Sequence, residues 1–163
     1  MRELNRDAKI MIAMQARLFE ESVDEVKTSS EVFVRRFMNS NVAREFDSSA
    51  ILDDTKSNKA IFYEIEEEYG TSTYGSVKYN KNVMHWCGYL YRYFSFTYEL
   101  SSKQAYKLLP LKYVSGTYEA YHTMDVGSAI ERLLEAKEID LSKEAMLRKG
   151  VEYLKRRQEQ ESI

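Results

Sequence analysis

Apolar residues recur at three- and four-residue spacing along most of the chain, the periodicity of amphipathic helices. The pattern is strongest in Asn80–Glu99, NKNVMHWCGYLYRYFSFTYE. Val83, Trp86, Leu90, Tyr93 and Thr97 follow this spacing, and Met84, Cys87, Tyr91, Phe94 and Tyr98 follow it one position on. Two adjacent stripes make a face wider than a surface helix carries, so this helix is predicted to be enclosed by others. Asn80 suits its N-cap. Its remaining side carries His85, Tyr89, Arg92, Phe96 and Glu99. Gly88 costs about 1 kcal/mol relative to alanine inside a helix, which predicts a close neighbour there.

The other elements follow from the same spacing. A first helix is expected over Arg2–Lys27, with Leu4, Ala8, Met11, Leu18, Val23 and Val26 inward. The Met-rich run Ile10–Met14 suits a core or a partner groove. Ser29 or Ser30 caps Glu31–Met38, and Val42–Phe46 resumes after a break at Asn39–Asn41. Asp47–Ser57 reads as a loop tethered by Ile51 and Leu52. Asn58–Tyr69 is helical, its glutamates forming a solvated face. Gly70–Tyr79 is the clearest break, with an extended piece at Ser76–Tyr79. Ser101 or Ser102 caps Lys103–Leu109, Pro110 interrupts, and Leu111–Tyr121 continues with an irregularity at Ser115–Gly116. Asp125 caps Val126–Lys137. Ser142 caps Lys143–Gln158, with Met146, Leu147, Val151 and Leu154 expected inward, and residues 159–163 form a fraying tail.

At 163 residues the chain suits a single domain, residues 1–158. One cysteine excludes an intrachain disulfide and a Cys-based zinc cage. The net charge of −2 gives no global drive toward nucleic acid or anionic lipid. No segment reads as a secretory leader or a membrane span, so a cytoplasmic location is expected.

Candidate chemistry is sparse. His85 and Cys87 lie two positions apart, so on a helix they point roughly 160° apart, which argues against a Cys–His pair. H-E-x-x-H and phosphate-binding glycine motifs are absent. His122 suits a local turn-locking bond with Asp125. No metal or cofactor is expected. Of the 13 tyrosines, all but Tyr153 fall between Tyr63 and Tyr121. Such a cluster suits core packing first, then a protein-binding surface, then nucleobase stacking. Ser101–Tyr121 has the helix–break–helix form of a DNA-reading motif. Its turn lacks glycine, and its second helix offers Tyr and Val where base-reading Arg, Gln and Asn are expected.

The stretch GYLYRYFSFTYELSSKQAYKLL, followed by AYHTMD and AIERL (Gly88–Leu133), resembles a group of small all-helical proteins of Gram-positive bacteria. Ser29–Asp47 and Glu66–Gly75 are similar to the same group, so the resemblance spans most of the chain. Phe94 and Phe96 stand where that group often has Trp and Tyr, and Pro110–Leu111 departs from its following helix. The resemblance implies an antitoxin or accessory role beside an ADP-ribosyltransferase-like toxin, and it carries no catalytic residues.

The sequence therefore predicts an all-α bundle of roughly seven helices around Asn80–Glu99. Its expected function is non-enzymatic protein binding, with a DNA-binding regulator as the alternative. The expected partner-facing residues are Tyr89, Arg92, Phe96, Lys103, Tyr106, Tyr121 and His122.

Overall fold

The structure, a computed structural model, describes residues 1–162. It is all-α, and no strand occurs among the described residues. The helices are α1 (Arg6–Glu25), α2 (Ser30–Asn39), α3 (Asn41–Asp47), α4 (Asn58–Tyr69), α5 (Lys81–Thr97), α6 (Ser102–Leu108), α7 (Leu111–Gly116), α8 (Tyr118–Tyr121), α9 (Val126–Ala136) and α10 (Lys143–Glu161). A 3-10 turn at Ala50–Asp53 follows α3 and buries Ile51.

Helix boundaries follow local chemistry. Side-chain oxygens of Asn5, Ser29, Ser40, Ser57, Asn80, Ser101, Asp125 and Ser142 each accept a backbone N–H of the first turn. At Ser101 the bond is reciprocated, because the Gln104 side chain accepts the Ser101 N–H at 2.9 Å. Helices α5 and α9 each close on a left-handed residue that is not glycine. Glu99 (φ 53°) and Glu138 (φ 56°) take the left-handed conformation. The following N–H groups of Leu100 and Ile139 reach back to the carbonyls of Ser95 and Leu134, which closes α5 and α9 and turns the chain.

Helix α5 is central, as its double apolar stripe predicts. Met84, Cys87, Leu90, Tyr91 and Phe94 are fully buried. Its broadest contact is with α1, and Gly88 permits it. A Cβ added at Gly88 would lie 2.6 Å from the Gln15 carbonyl oxygen and 2.9 Å from Phe19. Gln15, also buried, donates its Nε2 to the Gly88 carbonyl at 3.1 Å. From Phe19 a run of edge-to-face rings crosses the core. Phe19 meets Phe33 and Phe37 at 5.6 and 5.3 Å, and Phe37 meets Phe46 at 5.6 Å. These contacts join α1, α2 and α3. Helices α6, α7 and α9 close the other side of α5 with Ala105, Leu111, Val114, Ile130 and Leu133.

The expected break at Gly70–Tyr79 is extended chain laid across the start of α2. Ser29 N–H donates to the Tyr74 carbonyl and Ser30 N–H to the Val77 carbonyl, both at 3.0 Å. Gly75 (φ 79°) passes so close to Ser29 that an added Cβ would lie 2.6 Å from its side chain.

Helix α10 departs most from expectation. It runs to Glu161, past the predicted start of a frayed tail, and Ile163 lies outside the described residues. Met146, Leu147, Val151 and Leu154 do not face inward. They are exposed, Leu147 by 71 %, and Tyr153 beside them by 61 %. Among the described side chains of α10, only Ala145 in the first turn is buried. The turn at Glu138 directs α10 away from a body whose core α5 and its neighbours already fill.

The tyrosines give the fold an alkaline weakness. Burial pushes Tyr79, Tyr91, Tyr93, Tyr98, Tyr106 and Tyr113 above their ordinary 10.0, Tyr91 most of all. Above that value the unfolded chain releases tyrosine protons that the folded chain keeps, so stability falls as pH rises. Lys56 acts with the same sign. Hydrogen bonding to Glu45 raises its pKa despite the opposing effect of burial, with Glu64 adding to the rise. That contribution is present below 10.5 and is lost as pH climbs through the raised value. Lys78, lowered by burial, opposes them. The urea midpoint is expected to drop between about pH 9 and about pH 11, and to drop less in Tyr91→Phe.

Candidate functional site

The residues expected on one partner-facing side do not form one patch. Arg92 is the clear correction. Its position places it on the polar side of α5, yet it is only 2 % exposed. The guanidinium donates from Nε to Gln15 Oε1 at 2.8 Å, from Nη1 to Asp47 Oδ1 at 2.7 Å and from Nη2 to Ser102 Oγ at 2.6 Å. Its face lies 5.4 Å from the Phe46 ring centroid. Asp47 also accepts the Ser102 N–H and hydroxyl, at 3.0 and 2.6 Å. Arg92 thus clamps α1, the end of α3 and the start of α6 onto α5.

The other residues are spread over the surface. Phe96 is half-buried under the Arg2 guanidinium, 4.2 Å away. Tyr106 is half-buried against Tyr91, ring centroids 6.3 Å apart. Lys103 is exposed on α6, and Tyr121 packs its ring against the core edge.

Tyr89 and His122 do come together. With Asn82, His85, Trp86, Tyr118 and Val126 they line an open cleft of about 320 Å³ between α5, α8 and the start of α9. Tyr118 and His122 are stacked, centroids 4.3 Å apart and planes at 15°. His122 does not bond to Asp125. Its Nδ1 lies 2.7 Å from the Tyr118 carbonyl one helical turn back, and Asp125 caps α9 through the Ser128 N–H. Trp86 meets Tyr118 edge to face at 5.7 Å, and its buried Nε1 has no hydrogen-bond partner among the described residues. Tyr89 stacks on Tyr93 at 6.4 Å.

Two carboxylates flank the cleft. Glu20 stands 3.8 Å from His85 Nδ1, beyond hydrogen-bond length. Asp125 begins α9 and helps to raise Tyr93, after burial. No lysine or arginine lines the cleft. His85 and Tyr89 also border a wider groove of about 780 Å³ that runs over Ile10, Met14 and Arg17 of α1. The Met-rich stretch therefore divides, with Met11 and Ile12 in the core and Ile10 at this groove.

The chemistry expected to be absent between His85 and Cys87 has a structural reason. Cys87 is fully buried, and burial pushes its thiol well up, away from nucleophilic range, while His85 faces outward. The helix–break–helix expected at 101–121 is present as α6, Pro110 and α7. Its second helix, α7, has six residues and buries Leu111 and Val114.

A second surface was hidden in the sequence. Helix α10 has Met146, Leu147, Gly150, Val151, Tyr153 and Leu154 on one side at helical spacing, and every large apolar side chain in this set faces solvent. Six of its residues are Lys or Arg and four are Glu. No helix among the described residues is long and apolar enough to cross a membrane. Comparison with family models, with curated proteins and with solved structures finds no match to the chain.

Proposed function

We propose that the chain is a non-enzymatic protein-binding module that offers α10 to a groove on a partner. The carrying observation is the solvent-facing stripe Leu147, Val151 and Leu154, broadened by Met146 and Tyr153. Single exposed apolar residues are ordinary, but a contiguous stripe on a 19-residue helix is an interaction surface by default. Positions i, i+4 and i+7 are the anchors of helix-in-groove recognition. The excess of basic residues on α10 suits a groove with an apolar floor and acidic rim.

The resemblance over Gly88–Leu133 makes an ADP-ribosyltransferase-like toxin encoded by the adjoining gene the first partner to test, with this chain as the antitoxin-like component. Leu147→Asp/Leu154→Asp is expected to abolish co-purification with that product on co-expression. Its melting temperature should match the parent's, because neither side chain packs on the body. A complex that survives the double substitution contradicts the docking of α10. The same variant distinguishes a second copy as occupant: a dimer of the chain alone that it dissociates would show self-pairing instead.

A further inference from the structure

The cleft of Trp86, Tyr89, Tyr118, His85 and His122 is separate from α10, and its lining specifies a different kind of guest. Its walls are aromatic, with three phenol or indole rings and two imidazoles. Ring faces carry negative potential, and Trp and Tyr attract cations most strongly. Two carboxylates stand beside this lining, and the basic residues Arg17, Lys56 and Lys59 belong to the wider groove beyond His85 and Tyr89. Glu20 lies against His85 on one side, and Asp125 stands at the start of α9 on the other. The nearest basic residue of α5, Lys81, is occupied by Asp24 at 2.6 Å. The lining of the cleft itself offers an anion no Lys or Arg, which disfavours phosphate or nucleotide there.

Shape narrows the class further. The cleft is open, and the Tyr118–His122 pair already shows a planar ring lying on a tyrosine within it. A planar cation fits such a wall better than a compact, strongly hydrated ammonium. Asn82 at the rim adds a side-chain carbonyl that can accept an N–H. We propose that this cleft binds a guanidinium group, carried by an arginine side chain of a polypeptide or by a free small molecule.

The chain has one tryptophan, and it lines the cleft, so its fluorescence reports occupancy directly. The parent protein is titrated at constant ionic strength with ethylguanidinium, ethylammonium and neutral propionamide, and with acetyl-Gly-Arg-Gly-amide. A saturable change is expected with ethylguanidinium in the millimolar range, and binding about tenfold weaker for ethylammonium and propionamide. Tighter binding of the peptide than of ethylguanidinium assigns the guest to a polypeptide, and equal binding assigns it to a free small molecule. Tyr89→Leu, at a half-exposed position, should lose the response with its melting temperature unchanged. No saturable response to ethylguanidinium, an equal response to propionamide, or an undiminished response in Tyr89→Leu would overturn the proposal.

Discussion

Arg92→Ala is expected to destabilise the fold by about 3–5 kcal/mol, the usual cost of removing one partner from a buried ion pair. The substitution leaves Gln15 Oε1 without its donor and leaves Asp47 facing Ser102 alone. It also removes the planar group packed over Phe46. For a chain of this length the melting temperature should fall by about 10 °C or more. Arg92→Lys should recover little, because one ammonium on a flexible stem cannot span three acceptors on three helices. Thermal denaturation of both variants, with Asp47→Asn and Arg92→Ala/Asp47→Asn completing a double-substitution cycle, measures the coupling. Strictly additive effects would show that the pair does not act as a clamp.

Gly88→Ala is expected to cost about 3 kcal/mol, at the upper end for overpacking a core. One methyl group suffices because its nearest neighbour is backbone. The Gln15 carbonyl oxygen, 2.6 Å from the added Cβ, cannot rotate away as a side chain would. The α1–α5 contact must open, which also stretches the bond from Gln15 to the Gly88 carbonyl. Gly88→Val should be worse still, and Gly116→Ala, where a Cβ meets nothing within 4 Å, is the harmless control. Chemical denaturation of the three variants checks the order.

These two positions show what could be read from the residues. The cost of a glycine inside a helix pointed to a close neighbour at Gly88, and the structure supplies α1 there. Helical spacing alone places Arg92 on the open side of α5, because its acceptors lie 77, 45 and 10 residues away, on elements whose approach no local spacing reveals. Proximity in sequence pairs His122 with Asp125, but α8 and α9 use these residues for their own backbone groups. The meeting of Trp86 with Tyr118 depends in the same way on how α5 and α8 pack. Helix α10 marks a different boundary. Periodicity identifies an apolar face and its width, but the same stripe serves a core or a partner. Only the turn at Glu138 and the filled body decide between them, and both belong to the tertiary structure.

Docking of the apolar face of α10 into a partner is tested by hydrogen exchange along Met146–Glu161. The measurement compares the chain alone with the chain co-purified with the adjoining gene's product. In the free chain these amides should exchange far faster than those of α5, because the described side chains of α10 beyond its first turn are exposed. In the complex they should slow to the level of buried helices, while α5 stays unchanged. Exchange along α10 that is equally fast with and without the bound partner would rule out this docking.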